Sequence, residues 1–153
     1  MDTKDKKVTF RLIKVTTEQF AIIENSFQKE SETKLETNLK FAANKESRLI
    51  GVFAQFQFSC DHNPFIILEV GCHFEIKSES WEQMIETNAI IVPKAIMQHL
   101  CALTVGTARG VLHAKTENTS LNQLVLPTIN IAEIIENDVR FELEVTSPPL
   151  NQV

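Results

Sequence analysis

The stretch Leu103–Thr116, "LTVGTARGVLHAKT", admits two readings, and the fold depends on the choice. Gly106 and Gly110 frame Thr107 and Arg109, which in a loop could cradle a phosphate. On a helix the same glycines would leave one side bare for another backbone to approach. A phosphate loop needs a strand, a glycine-rich turn and then a helix start. The residues before Gly106, "IMQHLCALTV", instead show helical organisation, with Ile96, Leu100, Leu103, Thr107 and Val111 on one side. The Walker lysine pattern is also absent. The helical reading has a positive mark too: Ala102, Gly106, Gly110 and Ala114 recur every four residues as a ridge without bulk, which favours crossed packing. Glycine inside a helix costs about 0.5–1 kcal/mol relative to alanine, so two of them need an offsetting contact.

This helix carries Pro93 in its first turn, where a missing N–H costs nothing. It extends to about Lys115, roughly 33 Å at 1.5 Å per residue. Its strongly polar side chains are few: Lys94, Gln98, His99, Arg109, His113 and Lys115. Cys101, Val105 and Leu112 are expected on the flank away from Leu100 and Leu103. A helix apolar nearly all round is buried nearly all round, and one small sheet covers only one side. The other side predicts a homo-oligomer with helices sandwiched between sheets, its interface at Ala102, Gly106, Arg109, Gly110 and Ala114.

Three upstream segments alternate with period two, as strands buried on one face do. In "KLETNLKFAA", Leu35, Thr37, Leu39 and Phe41 share a side. In "RLIGVFAQFQFSC", Val52, Ala54, Phe56, Phe58 and Cys60 do so. In "FIILEVGCHFEI", Ile66, Leu68, Val70, Cys72, Phe74 and Ile76 oppose Ile67, Glu69, Gly71, His73 and Glu75. "CDHNP" between the last two reads as a hairpin turn, and "VTFRLIKV" as a fourth strand. Residues from Thr16 to Thr33 read as a long connection, apolar at Phe20, Ile22, Ile23 and Phe27. "SESWEQMIETN" reads as a short helical or irregular bridge and "NTSLNQLVLP" as a loop. Asn130 can cap a short second helix with Glu133 in a capping-box arrangement. "DVRFELEV" alternates again as one more strand. The fold class is therefore α+β: a four-stranded antiparallel sheet, then a long helix and a short second helix. Residues 1–146 form a single domain, with a flexible tail at 147–153.

Composition narrows the function. The 153 residues are 43% hydrophobic and 23% charged, ordinary for a folded domain with a real core. A formal charge of -5 argues against a nucleic-acid partner, because phosphate binding needs clustered Lys and Arg. The opening "MDTKDKKVTF" lacks a signal peptide's apolar region. No apolar run approaches the roughly 20 residues that span a bilayer, so no membrane insertion is expected. Three widely spaced cysteines, Cys60, Cys72 and Cys101, suit free thiols in a reducing cytoplasm. Cys72 and His73 are adjacent on a strand and point to opposite faces. No C-x-x-C or H-x-x-x-H spacing occurs, so neither a metal nor another cofactor is expected. Buried cysteine is usually inert, and no catalytic constellation rises above background; an enzyme is not expected.

The segments in this order resemble the SecB family of protein-export chaperones, most strongly from Phe65 to Ile135. "LEVGCHFEI" is similar to that family's strand with a Glu-Val and then a Phe-x-Ile step. Pro93 opening the helix and Arg109-Gly110 within it resemble the family's Phe-Pro start and Arg-Gly pair. "LPTINIAEII" resembles its Leu-Ala-Pro-Val-Asn-Phe segment leading into the second helix. The resemblance implies a dimer of dimers and an ATP-independent holdase that binds unfolded or precursor chains in long apolar grooves. It implies that the crossover after the first strand, the sheet and the inter-helix loop form the groove. Those regions offer Phe20, Ile22, Phe27, Phe53, Trp81, Leu124 and Leu126, each of which could instead be plain core. Glu69 matches an acidic position by which the family docks its SecA motor.

The chain also departs from the family. Val92 stands where Phe precedes the proline, the inter-helix loop "TENTSLNQLVLP" is longer, and "DVRFELEVTSPPLNQV" (138–153) replaces an acidic tail. General export and service to a toxin–antitoxin pair are therefore both open. A hotdog-like thioester enzyme would also explain an oligomer around a buried helix. It predicts an acid at the helix, yet Val92–Lys115 contains no Asp or Glu. A structural subunit of a larger complex is the third alternative.

Overall fold

Period-two alternation builds four long strands. In the computed structural model, which describes residues 7–143, β1 (Phe10–Ile22), β2 (Thr33–Asn44), β3 (Leu49–Cys60) and β4 (Asn63–Ile76) form one antiparallel sheet. Its order is β1-β4-β3-β2. The inward columns are those the alternation requires: Val52, Ala54, Phe56 and Phe58 on β3, and Ile66, Leu68, Val70, Cys72, Phe74 and Ile76 on β4, are all buried. Asp61 and His62 link β3 to β4 with φ of 48° and 68°, a two-residue turn whose positive φ values match the twist of the flanking strands.

β1 is longer than its sequence pattern suggests. The expected connection from Thr16 begins only after Ile22, because the strand continues with Phe20 opposite Leu68 and Ile22 opposite Ile66. Register shifts between Leu12 and Lys14 and between Thr17 and Gln19 break the alternation. Each added residue flips the following side chains to the other face, so period-two counting loses the strand there.

On the outer sheet face, Phe53 of β3 lies across Gly71 of β4. A Cβ at Gly71 would stand 2.6 Å from Thr16 Oγ1 and 2.8 Å from the Phe53 ring. Glycine fits there without displacing either side chain.

The inner face is covered by α2 (Lys94–Thr116), with Pro93 at its N-cap. Asp138 Oδ1 accepts from the Lys94 N–H at 2.8 Å, satisfying one of the free donors of a helix start. α2 buries Met97, Leu100, Cys101, Thr104, Val105, Ala108 and Leu112. This corrects the expected flanks: Cys101, Val105 and Leu112 face the sheet together with Leu100, and Leu103 is the one turned outward, 40% exposed. The buried hydroxyls of Thr104 and Thr116 donate back to the carbonyls of Leu100 and Leu112. The polar groups on this face are thereby satisfied.

α1 (Ser78–Met84) sends Trp81 and Met84 into the core. A second sheet follows, β5 (Ile85–Glu86), β6 (Ala89–Val92) and β7 (Val139–Glu142). β7, the strand expected in "DVRFELEV", pairs with β6 through Val92–Val139 and Ile90–Phe141. α3 is a single turn, Ile131–Ile134, and its Asn130 makes no side-chain capping bond. The expected capping box is thus not formed, since Glu133 N–H turns to the Asn130 backbone carbonyl at 3.2 Å. The tail 147–153 lies outside the described residues.

Candidate binding groove

Between the end of β1 and the start of β2 the chain crosses over through residues 23–32, with a 3-10 turn at Glu24–Ser26. A second 3-10 turn, Ser120–Gln123, follows α2. Two adjoining clefts open between them. One, of about 350 Å³, is lined by Phe27, Lys29, Thr33, Leu121, Gln123 and Leu124 among others. The other, of about 330 Å³, adds Ile22, Glu24 and Thr119. Both are bounded by Phe27, Ser120 and Leu121, which form a common divide. The Phe27 ring packs on Phe65 at a centroid distance of 4.9 Å, and Ile23 N–H donates to the Phe65 carbonyl at 2.9 Å.

The α2 side of the groove is held by a polar network. A helix end leaves carbonyls without partners. Here Thr119 Oγ1 donates to the Thr116 carbonyl at 2.7 Å and accepts from Leu121 N–H. Asn122 Nδ2 donates to the His113 carbonyl at 3.0 Å. Further along, Arg109 donates from Nε to the Leu126 carbonyl at 2.9 Å and from Nη2 to the Pro127 carbonyl at 3.0 Å. A guanidinium fork suits two successive acceptors. Arg109, expected at a subunit interface, therefore fastens a wall of its own chain.

The structure sorts the candidate groove residues. Ile22, Phe27 and Leu124 line the clefts. Phe20 is half-buried in the same cluster, with Lys115 Nζ 5.7 Å from its ring centroid. Leu126 is 1% exposed and belongs to the floor of the core. Trp81 is 3% exposed and packs in the other cluster, beside Met84 and Ile90. Helix α1 carries it inward rather than toward the groove. Phe53 lies on the opposite face of the sheet, edge-on to His73 at 5.5 Å. Leu121, Ser120, Gln123 and Thr119 were absent from the sequence-based set. Thr119 two residues before Leu121 was the available signal, a local hydroxyl-to-backbone turn that folds the loop back over the core.

The remaining candidates lie on two other surfaces. Glu69 is held by Lys40 Nζ at 3.1 Å, with its side chain 15% exposed. Ala102, Gly106, Gly110 and Ala114 all face outward, and a Cβ added at either glycine meets nothing within 4 Å. The ridge is bare within the protomer. Leu12 and Val15 of β1, opposite Phe74 and Cys72, are each 45% exposed on the sheet face that α2 only partly covers.

Chemically reactive groups do not converge. Among the described residues, no three His, Cys, Asp or Glu side chains form a metal-holding group. Burial pushes the Cys101 thiol up to about 12, which keeps it protonated and unreactive near neutral pH. Among the described residues, no helix is long and apolar enough to cross a membrane.

No family model matches the chain, and no curated protein does. Among solved structures, it is similar to the Mycobacterium tuberculosis Rv1957 SecB-like chaperone in complex with a ChAD peptide from the HigA1 antitoxin, with a TM-score of 0.46 and 12% identity over 80% of this chain and 90% of that one. It is also similar to a Streptococcus agalactiae protein of unknown function, with a TM-score of 0.40 and 13% identity over 81% of this chain and 99% of that one. At these scores the likenesses carry no functional weight, and function has to be argued from the groove.

Proposed function

We propose that the chain is a SecB-like, ATP-independent holdase that grips apolar segments of unfolded polypeptides in the groove between the crossover and the Ser120–Gln123 turn. The observation that carries this reading is the divided cleft itself. Phe27 and Leu124 are half-buried and line open clefts, so part of their apolar surface is free to meet a client. A client segment covering them would gain about 25 cal/mol per Å² of apolar surface removed from water. The polar rim of Ser120, Gln123 and Thr119 contacts a backbone without selecting a sequence, which suits broad client choice.

The bare α2 ridge supports a homo-oligomer, because a second helix can approach glycine more closely than any other residue. Leu12 and Val15 of β1 and Leu103 of α2 add further exposed apolar area. Several grooves on one assembly would then hold one client by avidity. Docking of a SecA-type motor through Glu69 would first have to break its pair with Lys40. An exposed pair of this kind is worth about 0–1 kcal/mol, so it does not separate general export from service to a toxin–antitoxin pair. A cytoplasmic location fits either role.

The test is suppression of aggregation of a denatured client by the purified protein without ATP. The wild type is expected to suppress it at stoichiometric ratio. Phe27→Ala should abolish the effect while costing only about 1 kcal/mol of stability, as expected for a half-buried side chain. Equal aggregation with and without the wild-type protein removes the reading.

A further inference from the structure

The two clefts differ in one respect that the apolar reading leaves unused. Lys29 is the charged residue that lines the cleft beside Leu124, and Glu24 is the charged residue that lines the cleft beside Ile22. Both are exposed, and neither forms an ion pair among the described residues. The Phe27 divide lies between them. A segment spanning both clefts therefore meets a positive rim at one end and a negative rim at the other.

We infer that the groove selects segments of dipolar charge pattern, an apolar core with an acidic residue on one side and a basic residue on the other. The inference rests on the groove being a polypeptide site and specifies the class of segment that fits it. Uniformly acidic segments meet repulsion at Glu24, and uniformly basic ones meet it at Lys29. Like charges brought together at a site are a common device for rejecting wrong partners. Exposed ion pairs are individually weak, so two of them give about three- to tenfold in Kd at low salt. Screening over a Debye length of about 10 Å at 0.1 M salt should flatten the preference as salt rises.

The discriminating experiment uses the full chain and three fluorescein-labelled peptides with one apolar core, Leu-Val-Phe-Leu. The core is flanked by Asp on one side and Lys on the other, by Asp on both sides, or by Lys on both. Fluorescence anisotropy at low salt should rank the mixed peptide tightest. Lys29→Glu should shift the preference to the Lys-flanked peptide, and Glu24→Lys to the Asp-flanked one. The double exchange should restore the preference for the mixed peptide, because a client can enter the groove turned end for end. The overall charge of -5 attracts basic peptides from any direction. Lys45→Glu, in the turn after the far end of β2, controls for that and should leave the ranking unchanged. Equal binding of all three peptides, unmoved by the single exchanges, overturns the charge selection and leaves the apolar groove standing. Absence of binding by every peptide overturns both.

Discussion

At the start of α2, Trp81, Met84, Ile90 and Ile135 are buried, with Ile85, Val139 and Phe141 of the second sheet packed against them. At the other end of the helix, Phe27, Ile22 and Leu124 are covered by one crossover and one 3-10 turn, and they remain half-exposed. Both ends began with the same need, since a four-stranded sheet under one helix leaves aromatic side chains at each margin. They differ in the backbone available as a cover. β5, β6 and β7 pair with one another and can lie over apolar side chains without stranding polar groups. A crossover satisfies its own backbone in short turns and cannot seal the same area. At this end of the helix, apolar surface stays accessible because paired backbone runs out beside β1 and β2.

Removing the seal should cost most. Trp81→Ala should lower unfolding free energy by about 3–5 kcal/mol, read from urea denaturation. Peptide affinity corrected for the folded fraction should stay unchanged. A matching loss of affinity would show that the two ends are not independent.

The clamp on the groove wall comes next. Arg109→Met removes two charge-assisted bonds to the Leu126 and Pro127 carbonyls, and about 1–2 kcal/mol of stability should go with them. The Leu124 amide, which donates to the Leu121 carbonyl, should exchange faster with solvent while those of β3 and β4 do not change. Arg109→Lys should not rescue the exchange rates, because an ammonium cannot reproduce the planar fork. Exchange that stays slow would assign the wall's order to packing alone.

The smallest effect is expected on the bare ridge. Gly106→Ala should stabilise α2 by about 0.5–1 kcal/mol, since nothing in the protomer crowds the site. Gly106→Phe should leave the protomer folded and lower the assembly mass measured by light scattering. An unaltered mass would remove the ridge from the self-association surface.

Much of this architecture could be read from residue order. The columns of β3 and β4 followed directly from alternation, because both strands are central and buried on a single face. The extent of α2 followed from its 3.6-residue period. Its orientation did not. Leu103 and Leu100 are both apolar, and only the sheet's position decides that one faces water. β1 was truncated because two bulges interrupt its period. The groove was half legible: Phe27 and Leu124 stood out as apolar residues in connections, whereas Trp81 did too and proved to be core. Leu121 escaped notice because its one local mark, Thr119 two residues before it, is common in loops, and the Asn122 bond to the His113 carbonyl that completes the turn spans nine residues. The intrachain bonds of Arg109 were hidden for a related reason. Its partners are backbone carbonyls seventeen and eighteen residues away, and carbonyls leave no mark in a sequence.

The ring of Phe53 resting on Gly71 constrains how this molecule can change over generations. Any side chain at position 71 meets Thr16 Oγ1 as well as that ring, so an exchange there requires both neighbours to give way. Related chains should therefore vary positions 16, 53 and 71 together or not at all, however far the groove opposite drifts.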